Sequence, residues 1–418
     1  MPPESPRLAR NYLLLAAGEC AAKLLAFLAY TYLGRTLGPE RYGRLEFALA
    51  ALVFFTLPVD FGLQDYGARQ VARDPGRAGR LLDEIVGLRL LLALVSLGAL
   101  MLFALASPGE AKWLLATLGA SLLAAPWLVQ WLLQGHDRMP AVALVSVARL
   151  GVFAALALLL VGPKTPLPVV GLAECGAAVA AAAAGLFLIR QGLGLPLPRP
   201  VFDWARLRDH FREASPIGLS ELCWAVLWYG ATVLLGWMAP GEQLGWFGAA
   251  HRILMALHTF VWLYFFNLLP SLSRSAARPP LLQTLLRRSL AVAMPAGLGV
   301  ALGLSAVARP LLALAYGERF AGAAPLFSIL VWMLPVSLWS GHYRYTLIAG
   351  GRQRWLLAAA AVAALVALPL GALLIGRFGA LGAAWSLLAA LSVNGVLAWA
   401  FVRRLLLRAP APIAARLS

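Results

Sequence analysis

The chain has 418 residues, of which 61% are hydrophobic and 13% charged, and its formal net charge is +17. A composition this apolar excludes a water-soluble core. The basic excess falls largely between long apolar runs, where it sets membrane topology rather than binding nucleic acid.

A bilayer core about 30 Å thick takes roughly 20 apolar residues per helix. Charged and Pro/Gly-rich breaks predict six spans near 11–34, 45–63, 84–106, 113–134, 139–162 and 167–190. Six more follow near 215–239, 245–270, 289–309, 323–349, 355–376 and 379–402. The runs are apolar on every side, whereas a membrane strand alternates over about ten residues. The expected fold is therefore all-α and integral to the membrane, with twelve transmembrane helices.

The first span carries Glu19 and Lys23 and is too long for a cleaved signal. Lys23 lies about 12 residues into it, roughly 18 Å deep at 1.5 Å per residue. Glu19 precedes it by four residues, the favourable order for a helical ion pair. Two readings stay open: a self-neutralising pair, or a cavity lysine whose charge the glutamate tunes. In span three, Arg89 is shallower and close to Asp83 and Glu84, so it is expected to snorkel. Arg149 sits mid-span in the fifth helix.

The longest break, 191–214, opens with GLPLPRP (Gly194 to Pro200), which cannot continue a helix. The segment Asp203 to Ala214 then places Trp204, Leu207, Phe211 and Ala214 on one face of an interfacial amphipathic helix. Ser215 is expected to cap, and Pro216 to start, the seventh span. The predicted organisation is an N-terminal six-helix lobe (1–190), a cytoplasmic linker with that helix (191–214), and a C-terminal six-helix lobe with a short cytoplasmic tail (215–418). In the second lobe Arg252 and Arg344 are deep cations, each roughly 12 Å from the nearer helix end. His251 and His258 are expected to hydrogen-bond neighbouring helices. Pro295, Pro335 and Pro369 are expected to bend spans nine, ten and eleven.

The halves read as repeats. Leu33–Gly43 (LGRTLGPERYG) and Leu235–Gly245 (LGWMAPGEQLG) both link the first two spans of a half, and Gly34, Glu40 and Gly43 match Gly236, Glu242 and Gly245 at an offset of 202. Six spans per half make the repeats parallel, and such repeats put a substrate site between the halves near mid-membrane. With the amino terminus inside, the inner loops and tails hold 22 of the 35 Lys and Arg and the outer loops hold 8. That bias puts both termini in the cytoplasm and the basic loops against anionic membrane lipid.

A charge held mid-span costs several kcal/mol, about 2.5–3.5 on insertion scales, so Lys23, Arg149, Arg252 and Arg344 need a purpose. The functional reading is a cationic cavity in a transporter; the alternative is pairing with Glu174, Glu221 or Glu46. Glu19, Glu174 and Glu221 are candidates for coupling a proton or cation or for balancing charge. Cys20, Cys175 and Cys223 all fall inside spans, so neither a disulfide framework nor a metal cluster is expected. No catalytic residue or cofactor is expected either, since every outward loop is short.

The sequence RNYLLLAAGECAAKLLAFLAYTYLGRTLGPERYG, followed by LPVDFGLQDYGARQVAR, resembles the start of Wzx-type polysaccharide flippases. These belong to the multidrug, oligosaccharidyl-lipid and polysaccharide flippase superfamily. QGHDRM, LGWFGAAHRI, YGERFAGAAPLFSIL, AGGRQR and RFGALGAAW resemble that family's later connections in order and spacing. The resemblance implies two six-helix lobes around a central cationic cavity, and transfer of undecaprenyl-diphosphate-linked glycan across the bacterial inner membrane. It implies membrane lipids as surroundings and a polysaccharide polymerase as a candidate partner. Lys23 and Arg252 lie on helices where related flippases carry cavity cations, whereas Arg149 and Arg344 are assigned by depth alone. Three other classes compete: a multidrug or cation antiporter of the same fold, a membrane polymerase or glycosyltransferase, and a non-transporting scaffold.

Overall fold

A computed structural model describes residues 5–407 apart from 108 and 277. The expected carboxy-terminal tail lies outside the described residues. In chain order the α-helices are α1 (Ser5–Asp60), α2 (Leu63–Arg73), α3 (Ala78–Ala106), α4 (Ala111–Gly119), α5 (Gln130–Gly135), α6 (Met139–Leu160), α7 (Pro168–Leu193) and α8 (Trp204–Met238). There follow α9 (Glu242–Ser275), α10 (Pro279–Ala306), α11 (Ala308–Tyr316), α12 (Ala324–Leu330), α13 (Met333–Ala349), α14 (Gln353–Phe378) and α15 (Ala380–Leu407). No strand occurs among the described residues. Among the described residues, eleven helical segments are long and apolar enough to cross a membrane.

The twelfth crossing is contained in the first segment. α1 has 56 residues, about 84 Å at 1.5 Å per residue, more than two bilayer cores. Its regular course breaks at Gly38, with φ 74° and ψ 168°, a backbone state open in practice only to glycine. Pro39 then restarts the helix, because it lacks the N–H that a continuous ladder would require.

Three local expectations are corrected. No new helix starts at Pro216: α8 runs through it from Trp204. The Ser215 hydroxyl donates to the Arg212 carbonyl at 3.0 Å, occupying the acceptor that the missing Pro216 N–H would have used. Pro335 does not bend the middle of a helix, because it falls in the first turn of α13, where N–H groups have no intrahelical partner anyway. Spans four and ten are not single helices. Short 3₁₀ turns at Ala120–Leu123 and Ala125–Trp127 separate α4 from α5, and two non-helical turn residues divide α12 from α13. Pro295 and Pro369 do lie inside α10 and α14.

The chain forms two compact units, Met1–Ala225 with Pro240–Gly248, and Val226–Ala239 with Ala249–Ser418. In the first unit Ile85 of α3, Trp131 and Leu132 of α5, and Ala181 and Ile189 of α7 share one apolar core. Leu207 and Ala214, on the expected apolar face of the linker helix, also enter that core, whereas Trp204 of the same face is 72% exposed. The matched glycines of the two repeats meet within this unit. A side chain on Gly43 would strike the Gly245 nitrogen at 2.7 Å, and one on Gly245 would overlap the Pro39 carbonyl. Small residues allow this backbone-to-backbone approach. Gly245→Leu is therefore expected to destabilise the protein by about 1–3 kcal/mol, read as a lower thermal transition in detergent, while Gly241→Leu, with open space around it, keeps the packing but strains a φ of 120°.

Candidate functional site

Charged side chains buried in the helices are the candidates for chemistry, and the two units hold different sets. In the first unit Lys23 is exposed and Glu19 half-buried on α1. Arg149 of α6 reaches Glu174 of α7, its Nη2 donating to Oε1 at 2.6 Å. The pair is asymmetric: the arginine side chain is 43% accessible and the glutamate 10%. Here the pairing alternative is realised, since a carboxylate already meets the Arg149 charge. The arginine side chain as a whole stays partly accessible, while its buried Nε has no hydrogen-bond partner among the described residues. Glu221, half-buried on α8, belongs to the same unit.

Arg252 of α9 and Arg344 of α13 belong to the second unit and are both half-buried. Their surroundings are aromatic. His251, next to Arg252, is buried between the rings of Trp228 and Tyr229, with centroids at 6.3 and 6.1 Å. Trp228 also meets His258 edge-on at 4.7 Å. Two residues before Arg344, His342 is wholly buried, with the Tyr264 hydroxyl 2.9 Å from Nε2 and the Leu338 carbonyl 2.7 Å from Nδ1. The Nδ1–H donates to that carbonyl, so Nε2 accepts from tyrosine. Phe265 stacks on Tyr345 at 4.7 Å and fills the space over Gly341. Both arginines therefore extend from helix turns that neighbouring rings hold in place.

Arg89 departs from expectation. It does not snorkel but is 1% exposed, with Nη1 donating to the Leu128 carbonyl at 2.9 Å and Nη2 3.6 Å from Asp60. Glu84, its expected neighbour, is engaged elsewhere. Arg206 Nη1 donates to Glu84 Oε1 at 2.6 Å, and His210 Nε2 lies 2.9 Å from Oε2. His210 Nδ1 meets the Tyr66 hydroxyl at 2.9 Å. With Nε2–H donating to the carboxylate, Nδ1 accepts from Tyr66, and every polar atom of the ring is satisfied. Phe61 stacks on Phe211 at 5.1 Å, and the Arg199 amide donates to Asp83 at 2.7 Å. These contacts fasten the 199–211 connector to the first unit. The sequence predicts an interfacial amphipathic helix here and offers no partner for its Arg206 and His210.

Comparison with known proteins gives the family. The profile of the family described as "Polysaccharide biosynthesis protein" matches residues 8–276. A curated relative, the "Putative O-antigen transporter" of Escherichia coli (strain K12), is 22% identical over 259 residues. That match covers 60% of this chain and 61% of the relative, so the chain spans about six tenths of the relative's length. Among solved structures, an inward-facing multidrug resistance MATE family transporter of the MOP superfamily superposes with a TM-score of 0.77 at 15% identity, covering 93% of this chain and 96% of that one. A lipid II flippase, MurJ, in an inward closed conformation, superposes with a TM-score of 0.70 at 14% identity, covering 94% and 87%. At such identities these structures establish the fold, which is the expected all-α membrane architecture. The profile spans well over half of the chain, so this multi-pass membrane protein belongs to the polysaccharide biosynthesis protein family.

Proposed function

We propose that the protein is a flippase, not an enzyme, that moves an undecaprenyl-diphosphate-linked oligosaccharide from the inner to the outer leaflet of the bacterial inner membrane. Both termini are cytoplasmic in this reading, the 1–190 and 215–418 segments act as lobes joined by the 191–214 linker, and a polysaccharide polymerase acts on the product. The observation that carries it is the family match over residues 8–276. The deep cations supply the chemistry. A diphosphate cannot enter hydrocarbon bare, because an unpaired ion there costs many kcal/mol.

Lys23, Arg252 and Arg344 offset that cost in a central cavity, arginine through its planar fork and lysine as a compact charge. Arg149, whose side chain stays partly accessible while Glu174 meets its charge, adds to that set. Glu19, Glu174 and Glu221 balance charge or carry a coupling proton. The prenyl chain stays in lipid, and rocking of the lobes exposes the site alternately to each side.

Vesicles reconstituted with the protein test this, with a cysteine at Gly241 reporting which face is outward. Dye-labelled undecaprenyl-diphosphate-linked oligosaccharide should cross at a protein-dependent rate, from the side opposite that cysteine, while a cationic dye stays in place. Dye export without lipid movement would transfer the reading to the multidrug or cation antiporter.

A further inference from the structure

The second unit is charged almost entirely by arginine. Residues 249–407 contain thirteen arginines, no lysine and one acid, Glu318. Eight of the thirteen gather at one end. Arg274 and Arg278 lie where α9 passes into α10, Arg287 and Arg288 in the third turn of α10, Arg352 and Arg354 at the start of α14, and Arg403 and Arg404 near the end of α15. Two apolar clusters bring these segments together. Leu272, Leu282 and Leu286 pack with Tyr345, Ala349 and Leu406, and Leu347, Ala398 and Val402 pack with Trp355, Phe401 and the same Leu406. All eight arginines are exposed around this junction. Arg274 bonds Ser271 of its own helix and Arg403 lies over Trp399, but none of the eight joins an ion pair among the described residues.

Membrane topology alone does not account for this. In the first unit, the loops given the same sidedness (64–84, 135–139 and 190–214) carry ten arginines and eight acids. Several are paired, as Arg77 is with Asp74 and Arg206 with Glu84. The topogenic rule counts Lys and Arg and is nearly blind to acids, so both ends satisfy it. Only the end without acids keeps a strong positive field.

We infer that this end of the second unit is a binding surface for the headgroups of anionic phospholipids in the leaflet it faces. Guanidinium groups match phosphate oxygens bidentately. They have aromatic company here: Trp355 lies in the first turn of α14 and Trp399 under Arg403 near the end of α15, and such rings favour a membrane interface. Between the arginine pairs of α9–α10, Leu281 is 47% exposed beside the exposed polar side chains of Gln283 and Thr284. The eight arginines stand at or near the ends of four helices long and apolar enough to cross a membrane, a placement that argues for a lipid headgroup over a soluble polyanion.

Native mass spectrometry of the protein released from vesicles of equal phosphatidylglycerol and phosphatidylcholine tests this. Phosphatidylglycerol should remain bound preferentially. Each basic residue near an anionic surface is worth roughly five-fold in binding, so the R287Q/R288Q/R352Q/R354Q variant should retain at least about ten-fold less. R69Q/R73Q/R77Q/R80Q removes the same charge from the first unit and should change retention by less than about two-fold. The corresponding lysine variant of the second unit keeps the charge, and with it the insertion, and should hold an intermediate amount. Equal losses in the two glutamine variants would overturn the assignment, as would equal retention of the two phospholipids by the unaltered protein. Displacement of phosphatidylglycerol by equimolar undecaprenyl diphosphate would also overturn it, because the surface would then serve the transported lipid.

Discussion

Arg252→Ala is expected to lower transport of a lipid-diphosphate-linked oligosaccharide by roughly thirty-fold or more, the scale for removing one partner of a desolvated charge contact. Expression should change little, because Arg252 is only half-buried while its neighbour His251 is fixed by Trp228 and Tyr229. Arg252→Lys should recover part of the rate, since the charge persists although the two-pronged fork is lost. Glu19→Gln separates two roles for that acid. If Glu19 only balances Lys23, transport survives the change; if it carries a coupling proton, transport becomes insensitive to a pH gradient. Vesicle assays with labelled lipid-linked sugar read all three. Full activity in the Arg252→Ala protein would remove the cationic-cavity mechanism.

The second large effect concerns stability. Arg89 is fully enclosed and compensated by Asp60 and the Leu128 carbonyl. Arg89→Ala should destabilise the first unit by about 3–5 kcal/mol, because the change leaves a carboxylate with no counter-charge in a poorly solvated site. Much of that loss belongs to the stranded acid, not to the pair itself. The double change Arg89→Met with Asp60→Asn should therefore recover most of the stability, since it removes both charges and keeps much of the volume. Thermal unfolding in detergent provides the comparison. A double variant as unstable as Arg89→Ala would mean that the hydrogen bond to Leu128, and not charge balance, is what the arginine supplies.

The contrast between Arg89 and Glu84 shows how far the sequence could be read. Asp83 and Glu84 precede Arg89 by one to two helical turns, and that neighbourhood with a shallow depth predicts a snorkelling arginine. The real partners come from elsewhere: Arg89 meets Asp60, the last residue of α1, and Glu84 is met by Arg206 and His210, 122 and 126 residues away. Helical periodicity reports which residues share a face of one helix. It carries no information about which face of another helix arrives there. The same limit applies to Arg149, whose depth was legible but whose engagement with Glu174 depended on how α6 meets α7.

The sequence by itself determined the class of the protein: apolar runs long enough to cross a bilayer, breaks at Gly and Pro, basic loops on one side, and motifs in the order of a flippase family. These signals are local or additive, because hydrocarbon demands that each span satisfy its own backbone hydrogen bonds within one helix. The tertiary structure alone decided that α8 runs unbroken through Pro216, that Gly43 and Gly245 touch backbone to backbone, and which carboxylates meet Arg89 and Arg149. Such pairings follow from burial and the approach of distant segments, where the cost of leaving a charge without compensation selects one partner among several that the sequence offers equally.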